Sequence, residues 1–161
     1  MIDFEQMLPL LAAAGIEFVI VGGLAAIIHG SARATFDLDI CYSRAPDNIE
    51  RLAAVIESLS PVLRGAPKGL PFHFDAETIQ KGLNFTLTTK LGDIDLLGEV
   101  SGIGDFEAAR RASVPVQLFE REFRVLTLDS LIISKQAAGR PKDLTDLHVL
   151  EALREAEAAD E

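Results

Sequence analysis

The sequence predicts an α/β fold of the α+β kind: a mixed central sheet flanked by helices, with further helices at the C-terminal end. Three observations predict it. Short apolar runs of strand length (EFVIVGG, FDLDICY, LNFTLTTK, DIDLLGEV) are interleaved with amphipathic stretches of helix length. Gly or Pro marks most of the junctions. The order of elements is not a clean strand–helix–strand series, and it finishes in two helical segments.

Taken in order, residues 3–14 (DFEQMLPLLAAA) predict a helix closed by Gly15 as a C-cap. EFVIVGG predicts a buried strand ending at Gly22-Gly23, and LAAIIHG a short helix closed by Gly30. FDLDICY reads as a strand, followed by the amphipathic helix DNIERLAAVIESL with Asp47 or Asn48 as N-cap. The Pro- and Gly-rich segment 60–74 reads as a loop. LNFTLTTK and DIDLLGEV then predict an antiparallel hairpin turning at Leu91-Gly92. A short helix near DFEAARRA precedes a second strand pair, VPVQLFE and REFRVLTL. Two helices close the chain, broken at Gly139-Arg140-Pro141 with Gly after one and Pro opening the next. The last residues, EALREAEAADE, read as a solvated helix end fraying into disorder.

The 161 residues suit one domain, here divided into a core at 1–126 and a helical segment at 127–161 packing on it. The N-terminus is acidic and amphipathic, unlike a signal peptide, and no apolar stretch reaches a membrane span of ~18 residues. A cytoplasmic protein with no membrane partner is expected. The single cysteine, Cys41, excludes an internal disulfide and a thiolate-rich metal site. A formal net charge of −10 excludes a protein whose main task is coating nucleic acid, though not one that uses nucleic acid as a substrate. A Rossmann reading fails because Gly22-Gly23 lacks the GxGxxG spacing.

The stretch TFDLDI carries the chemistry. Residues i and i+2 of a strand share a face, so Asp37 and Asp39 project together while Leu38 and Ile40 pack behind them. Two like charges side by side need compensation, and a hard divalent cation such as Mg²⁺ (or Mn²⁺) takes carboxylate oxygens together with substrate phosphates. A third metal-binding acid is Asp95, flanked by Ile94 and Leu96 in a second apolar strand; Asp93, beside Gly92, reads as a turn residue. An Asp alternating with apolar residues on an edge strand is commonly just solvent-facing. Gly22-Gly23 shifts that balance, because paired glycines let the backbone approach a phosphate closely. Ser31, Arg33 and Thr35 lie just before Asp37, where each has a nucleotide-binding reading beside a local capping or surface one. His29 reads as a capping or packed histidine. Phe36, Phe72, Phe74 and Phe85 read as core residues with a stacking alternative.

These motifs resemble the nucleotidyltransferase superfamily, the DNA polymerase β-like fold: VGG, a short helix, DLDI, then a later IDLL. The blocks GGLAAIIHGSARATFDLDI, GDIDLLGEVSGIG and LIISKQAAGRPKDLTDLHVL are similar to the small bacterial AbiEii/MenT-like branch and span nearly the whole chain. The resemblance implies an Mg²⁺-dependent enzyme that moves an NMP from an NTP to a hydroxyl acceptor: tRNA, protein or small molecule. It implies Asp37 and Asp39 as metal ligands, Asp95 as the acid assisting the acceptor, and Gly22 and Gly23 at the triphosphate. It also gives Lys135 and Asp143 of the K…RPKD block a catalytic part, against which stands simple helix charge pairing among Lys142, Asp143 and Asp146.

Further expectations follow from that branch: a cognate toxin or antitoxin partner, and a homodimer placing Arg110-Arg111 or Arg140-Pro-Lys142 beside the cleft. The chain does not extend to the large C-terminal domain of longer AbiEii-type proteins, which suggests a minimal form that relies on a partner. A non-catalytic nucleotide sensor or an antitoxin-type protein is the alternative.

Overall fold

A computed structural model describes residues 1–67, 69–70 and 72–160. The chain folds around a seven-stranded mixed sheet. Helix α1 (Phe4–Ala13) is capped by Asp3, whose Oδ1 accepts the Gln6 N–H at 3.1 Å. Its C-cap is Ala14, one residue before the expected Gly15, which follows in the left-handed region. Strand β1 (Phe18–Val21) is buried throughout. Gly22 and Gly23 open α2 (Gly22–Ile28) rather than ending the strand.

Strand β2 (Asp37–Tyr42) returns antiparallel to β1, with Val21 opposite Asp39. Helix α3 (Pro46–Glu57) begins with Pro at its first position and Ala45 as cap, so neither Asp47 nor Asn48 is the N-cap. Asn48 is instead buried: its Oδ1 accepts the Glu17 N–H at 2.7 Å, and its Nδ2 donates to Ser43 O at 2.8 Å. That side chain ties α3 to the start of β1 and is unavailable as a cap.

The segment expected as loop contains a two-residue strand, β3 (Val62–Leu63); Lys68 and Pro71 lie outside the described residues. After α4 (Ala76–Lys81), the hairpin β4 (Phe85–Thr89) and β5 (Gly92–Leu97) turns at Lys90-Leu91, one residue earlier than expected. Gly92 and Asp93 therefore belong to β5. Helix α5 (Phe106–Arg111), the hairpin β6 (Ser113–Leu118) and β7 (Arg121–Leu126), and helices α6 (Leu128–Ala138) and α7 (Pro141–Ala159) complete the chain. The acidic end is helical to Ala159 and solvent-exposed from Arg154 on, and Glu161 lies outside the described residues.

The strand order is β3-β4-β5-β2-β1-β7-β6, with β2/β5 and β1/β7 parallel and the remaining pairs antiparallel. Central β1 and β2 bury Val19, Ile20, Leu38, Ile40 and Tyr42 completely. Cys41 is buried there too, and burial pushes its thiol up to about 12, consistent with an inert core residue. Leu131 and Ile132 of α6 and Leu150 of α7 join the same core cluster. No helix of the described residues is long and apolar enough to cross a membrane.

Candidate active site

The pairing of β2 with β5 creates the site. Asp37 stands opposite Asp93 and Asp39 opposite Asp95, so two acid-apolar-acid strands lie side by side in register. Four carboxylates then share one face of the sheet. Asp37, Asp39 and Asp95 each offer an oxygen within 4.8 Å of the others. Asp93 is not a turn residue; its Oδ1 accepts the Thr88 hydroxyl at 2.7 Å from the neighbouring strand.

Burial, and then the nearby charges of Asp95 and Asp37, push the Asp39 carboxyl up to about 8. Burial followed by the charge of Asp95 also raises Asp37. Asp39 Oδ1 is buried without a hydrogen-bond partner. Converging carboxylates, with Asp37 and Asp39 raised and a buried oxygen of Asp39 unpartnered, form a donor set that fits a hard divalent cation.

One cation already serves these acids, and sequence reasoning missed it. Arg64 Nη2 lies 2.8 Å from Asp95 Oδ1, Nε 3.3 Å from Asp93 Oδ2, and Nη1 3.7 Å from Asp37 Oδ2. The Asp95 contact is out of line for a hydrogen bond, so that oxygen keeps none. The guanidinium donates instead to Leu87 O at 2.9 Å. The register explains its reach. Leu63 pairs with Leu87, the Arg64 N–H bonds Thr86 O, and Thr86 faces Asp95, so Arg64 continues a row across the sheet to Asp39. No periodic signal in VLRGAP marks it; only the two-residue pairing of β3 does.

A cleft of about 330 Å³ opens over the acids. Gly22, Gly23, Ser31, Arg33 and Thr35 line it with Asp37, Asp39, Asp95 and Lys135, so nine of the ten expected site residues meet there. Gly22 is at φ +65°, and a Cβ on it would fall on the Asp39 carboxylate; one on Gly23 would press on Thr35 Oγ1. Both glycines are thus required for the acids and the backbone to approach this closely. Ser31 Oγ accepts the Arg33 N–H at 3.2 Å, and the Thr35 hydroxyl donates to Asp37 O at 3.2 Å, bonds that set the loop leading into β2.

Asp143, the tenth residue, is fully buried behind Lys135. Arg140 Nε donates to its Oδ2 at 2.7 Å and Lys135 Nζ to its Oδ1 at 3.1 Å. The Arg140 contact first, and Lys135 after it, hold this carboxyl well below the usual range. Asp146 takes Lys135 at 3.2 Å and Arg33 at 3.0 Å, which replaces the helix pairing with Lys142 considered from spacing. Arg140 and Lys142 line the cleft of their own chain, whereas Arg110 pairs with Glu107 on α5. His29 caps α2 and contacts Leu126 O at 2.7 Å. Phe74 packs edge-on against Phe85, while Phe36 stands exposed at the cleft.

A mixed sheet presenting three acids beside a glycine pair and a cationic wall is the architecture of the nucleotidyltransferases. The family model described as "Nucleotidyl transferase AbiEii toxin, Type IV TA system" matches residues 10–161, and the chain belongs to that family of nucleotidyltransferase enzymes. Solved structures share the fold. The lincosamide antibiotic adenylyltransferase LnuA, bound to lincomycin, is 13% identical with a TM-score of 0.57, covering 91% of this chain and 93% of its own. ANT(2″)-Ia in complex with adenylyl-2″-tobramycin is 15% identical with a TM-score of 0.57, covering 98% and 95%. The Thermotoga maritima protein TM1012 is 16% identical with a TM-score of 0.52, covering 99% and 96%. No curated protein matches in sequence.

Proposed function

We propose that this protein transfers an NMP from an NTP to a hydroxyl of a small-molecule or protein acceptor, with Asp37, Asp39 and Asp95 as metal ligands. One observation carries the reading. The three acids converge on a cleft whose other wall holds Arg33, Lys135, Arg140 and Lys142, an arrangement suited to a polyphosphate bridged by cations. A bound Mg²⁺ or Mn²⁺ would supply charge neutralisation on the triphosphate and acidify the acceptor hydroxyl.

The chain's own groups do the rest. Gly22 and Gly23, lacking side chains, let phosphate oxygens approach the backbone. Lys135 and Arg33 draw the leaving phosphates, with Asp143 acting through Lys135 as a positioning residue. Ser31 and Thr35 hold the loop against which the nucleotide lies. Asp95 takes the acceptor proton as the hydroxyl oxygen bonds the α-phosphorus and the bond to the β-phosphate breaks, releasing pyrophosphate. Catalysis here is positioning and electrostatics, with no covalent enzyme intermediate.

The net charge of −10 disfavours a tRNA acceptor held by this chain alone. The family description supports a toxin role and a cognate antitoxin as partner. The test is transfer from α-labelled ATP, CTP, GTP and UTP with Mg²⁺ into a cell extract, beside an Asp37→Ala/Asp39→Ala variant. Label that appears with the native protein and vanishes in the variant supports the reading. Its sensitivity to protease, nuclease or neither names the acceptor class. Label persisting in the variant would refute the assignment of the acids.

A further inference from the structure

The four carboxylates on the β2/β5 face are served unequally. Arg64 reaches Asp95 Oδ1 at 2.8 Å, Asp93 Oδ2 at 3.3 Å and Asp37 Oδ2 at 3.7 Å. Asp39, with its unpartnered Oδ1, is the one it does not touch. Two of its partners, Asp37 and Asp95, belong to the triad that converges on a metal. Asp93 offsets the guanidinium in charge but not in place. It lies outside the triad, and its Oδ1 already accepts the Thr88 hydroxyl.

Main-chain bonds, and not the acids alone, keep the guanidinium there. Nη2 donates to Leu87 O at 2.9 Å and to Ile94 O at 3.4 Å. The Arg64 N–H bonds Thr86 O at 3.0 Å, and β3 pairs Val62 with Thr88 and Leu63 with Leu87. An ion that displaced the side chain would break its bonds to Leu87 and Ile94 as well as the ion pairs.

Two-metal sites hold their ions about 3.5–4 Å apart and share carboxylates between them. Asp37, Asp39 and Asp95 each bring one oxygen within 4.8 Å of the others. Of the oxygens on these three acids, Asp95 Oδ1 and Asp37 Oδ2 face Arg64. What remains suits one ion, completed by phosphate and water oxygens. Beyond Asp39, the walls of the cleft carry Lys135 and Arg140. Fixed cations thus flank the triad on both sides, and each repels a further divalent ion at close range.

We propose that this site works with one divalent ion, and that the Arg64 guanidinium stands in for a second by neutralising Asp95 and Asp37. The proposal rests on the nucleotidyl-transfer reading above. It adds the number of ions and the residue that sets it.

The test is electron paramagnetic resonance of Mn²⁺ with the full chain. Spectra are taken with metal alone and with each of the four α,β-methylene nucleoside triphosphates, which cannot be cleaved at that bond. Two Mn²⁺ ions sharing carboxylates give an exchange-coupled spectrum, whereas a single ion gives an isolated one. Native protein is expected to bind one Mn²⁺ per chain, with the isolated spectrum throughout. Arg64→Gln, shown to be folded by circular dichroism, is expected to bind two coupled ions. Its second ion should bind roughly tenfold more tightly than any second ion on the native protein. Arg64→Lys, which keeps a positive charge on the same strand, should bind one. An exchange-coupled pair in the native protein overturns the proposal whatever the variants do. A single isolated ion in folded Arg64→Gln overturns it too, and two ions in Arg64→Lys overturn the part given to charge. Native protein that binds neither Mn²⁺ nor any of the four analogues overturns the nucleotidyl-transfer reading itself, an outcome distinct from the others.

Discussion

Replacing Arg64 by Gln removes the one cation among the described residues that touches three of the four sheet-face acids. The native contacts are 2.8 Å to Asp95, 3.3 Å to Asp93 and 3.7 Å to Asp37, with the Arg64 side chain 28% exposed. Partly screened pairs of this kind are worth roughly 0.7 kcal/mol each, so the three together are worth about 2 kcal/mol. In a chain of this size that lowers Tm by about 4–8 °C in metal-free buffer. Divalent metal should act in the opposite sense. A unit positive charge ~4 Å from another costs about 1 kcal/mol even at water-like screening, and twice that against a divalent ion. Withdrawing the guanidinium therefore strengthens the pull of Asp37, Asp39 and Asp95 on Mg²⁺ by about 1–2 kcal/mol, roughly tenfold in affinity. Differential scanning fluorimetry with EDTA and with graded Mg²⁺ reads both effects. The variant should melt lower without metal and gain more Tm on metal addition than the native protein. Equal melting in EDTA, or an equal metal-induced shift, would show that Arg64 does not balance the acids and would refute this reasoning.

Other residues give equally direct expectations. Asp143→Ala leaves Lys135 and Arg140 without their buried partner and frees the Arg140 N–H that Asp143 Oδ2 caps at 3.1 Å. A cost of about 3 kcal/mol is expected in urea denaturation, and a cost under ~1 kcal/mol would contradict the burial argument. The same carboxyl is held below its usual range when folded, so its stabilisation is fully present above the unfolded value of ~3.9 and fades as pH falls below it. The native-minus-variant stability gap should accordingly narrow between about pH 4 and pH 2. Asp146→Asn releases Arg33 and Lys135 from a competing carboxylate, and should tighten NTP binding roughly fivefold, about 1 kcal/mol from two screened pairs. Weaker binding instead would mean that Asp146 aims those cations. Gly22→Ala puts a Cβ against the Asp39 carboxylate at positive φ; transfer should be lost, and a retained rate would remove the close-approach argument.

Determined by the sequence alone were the local facts: which segments other than β3 are strands, which faces are polar, and that Asp37 and Asp39 share one face. These follow from the two-residue period of a strand and the punctuation of Gly and Pro, which act over a few bonds. Nine of the ten site residues read from it line one cleft. Tertiary structure decided the remainder. Asp93 joined the strand and the acid cluster because β5 pairs with β2 in a register that no local pattern encodes. Asn48 left its capping role because the start of β1 lies within reach of its amide. Asp146 chose Lys135 and Arg33 over its helix neighbour because α6 and the loop before β2 converge on α7. Arg64 was invisible in a Pro- and Gly-rich segment because its partners lie two and three strands away across the sheet. Pairing between distant segments is set by the burial of a shared core, and only there do separate acids and cations become one site.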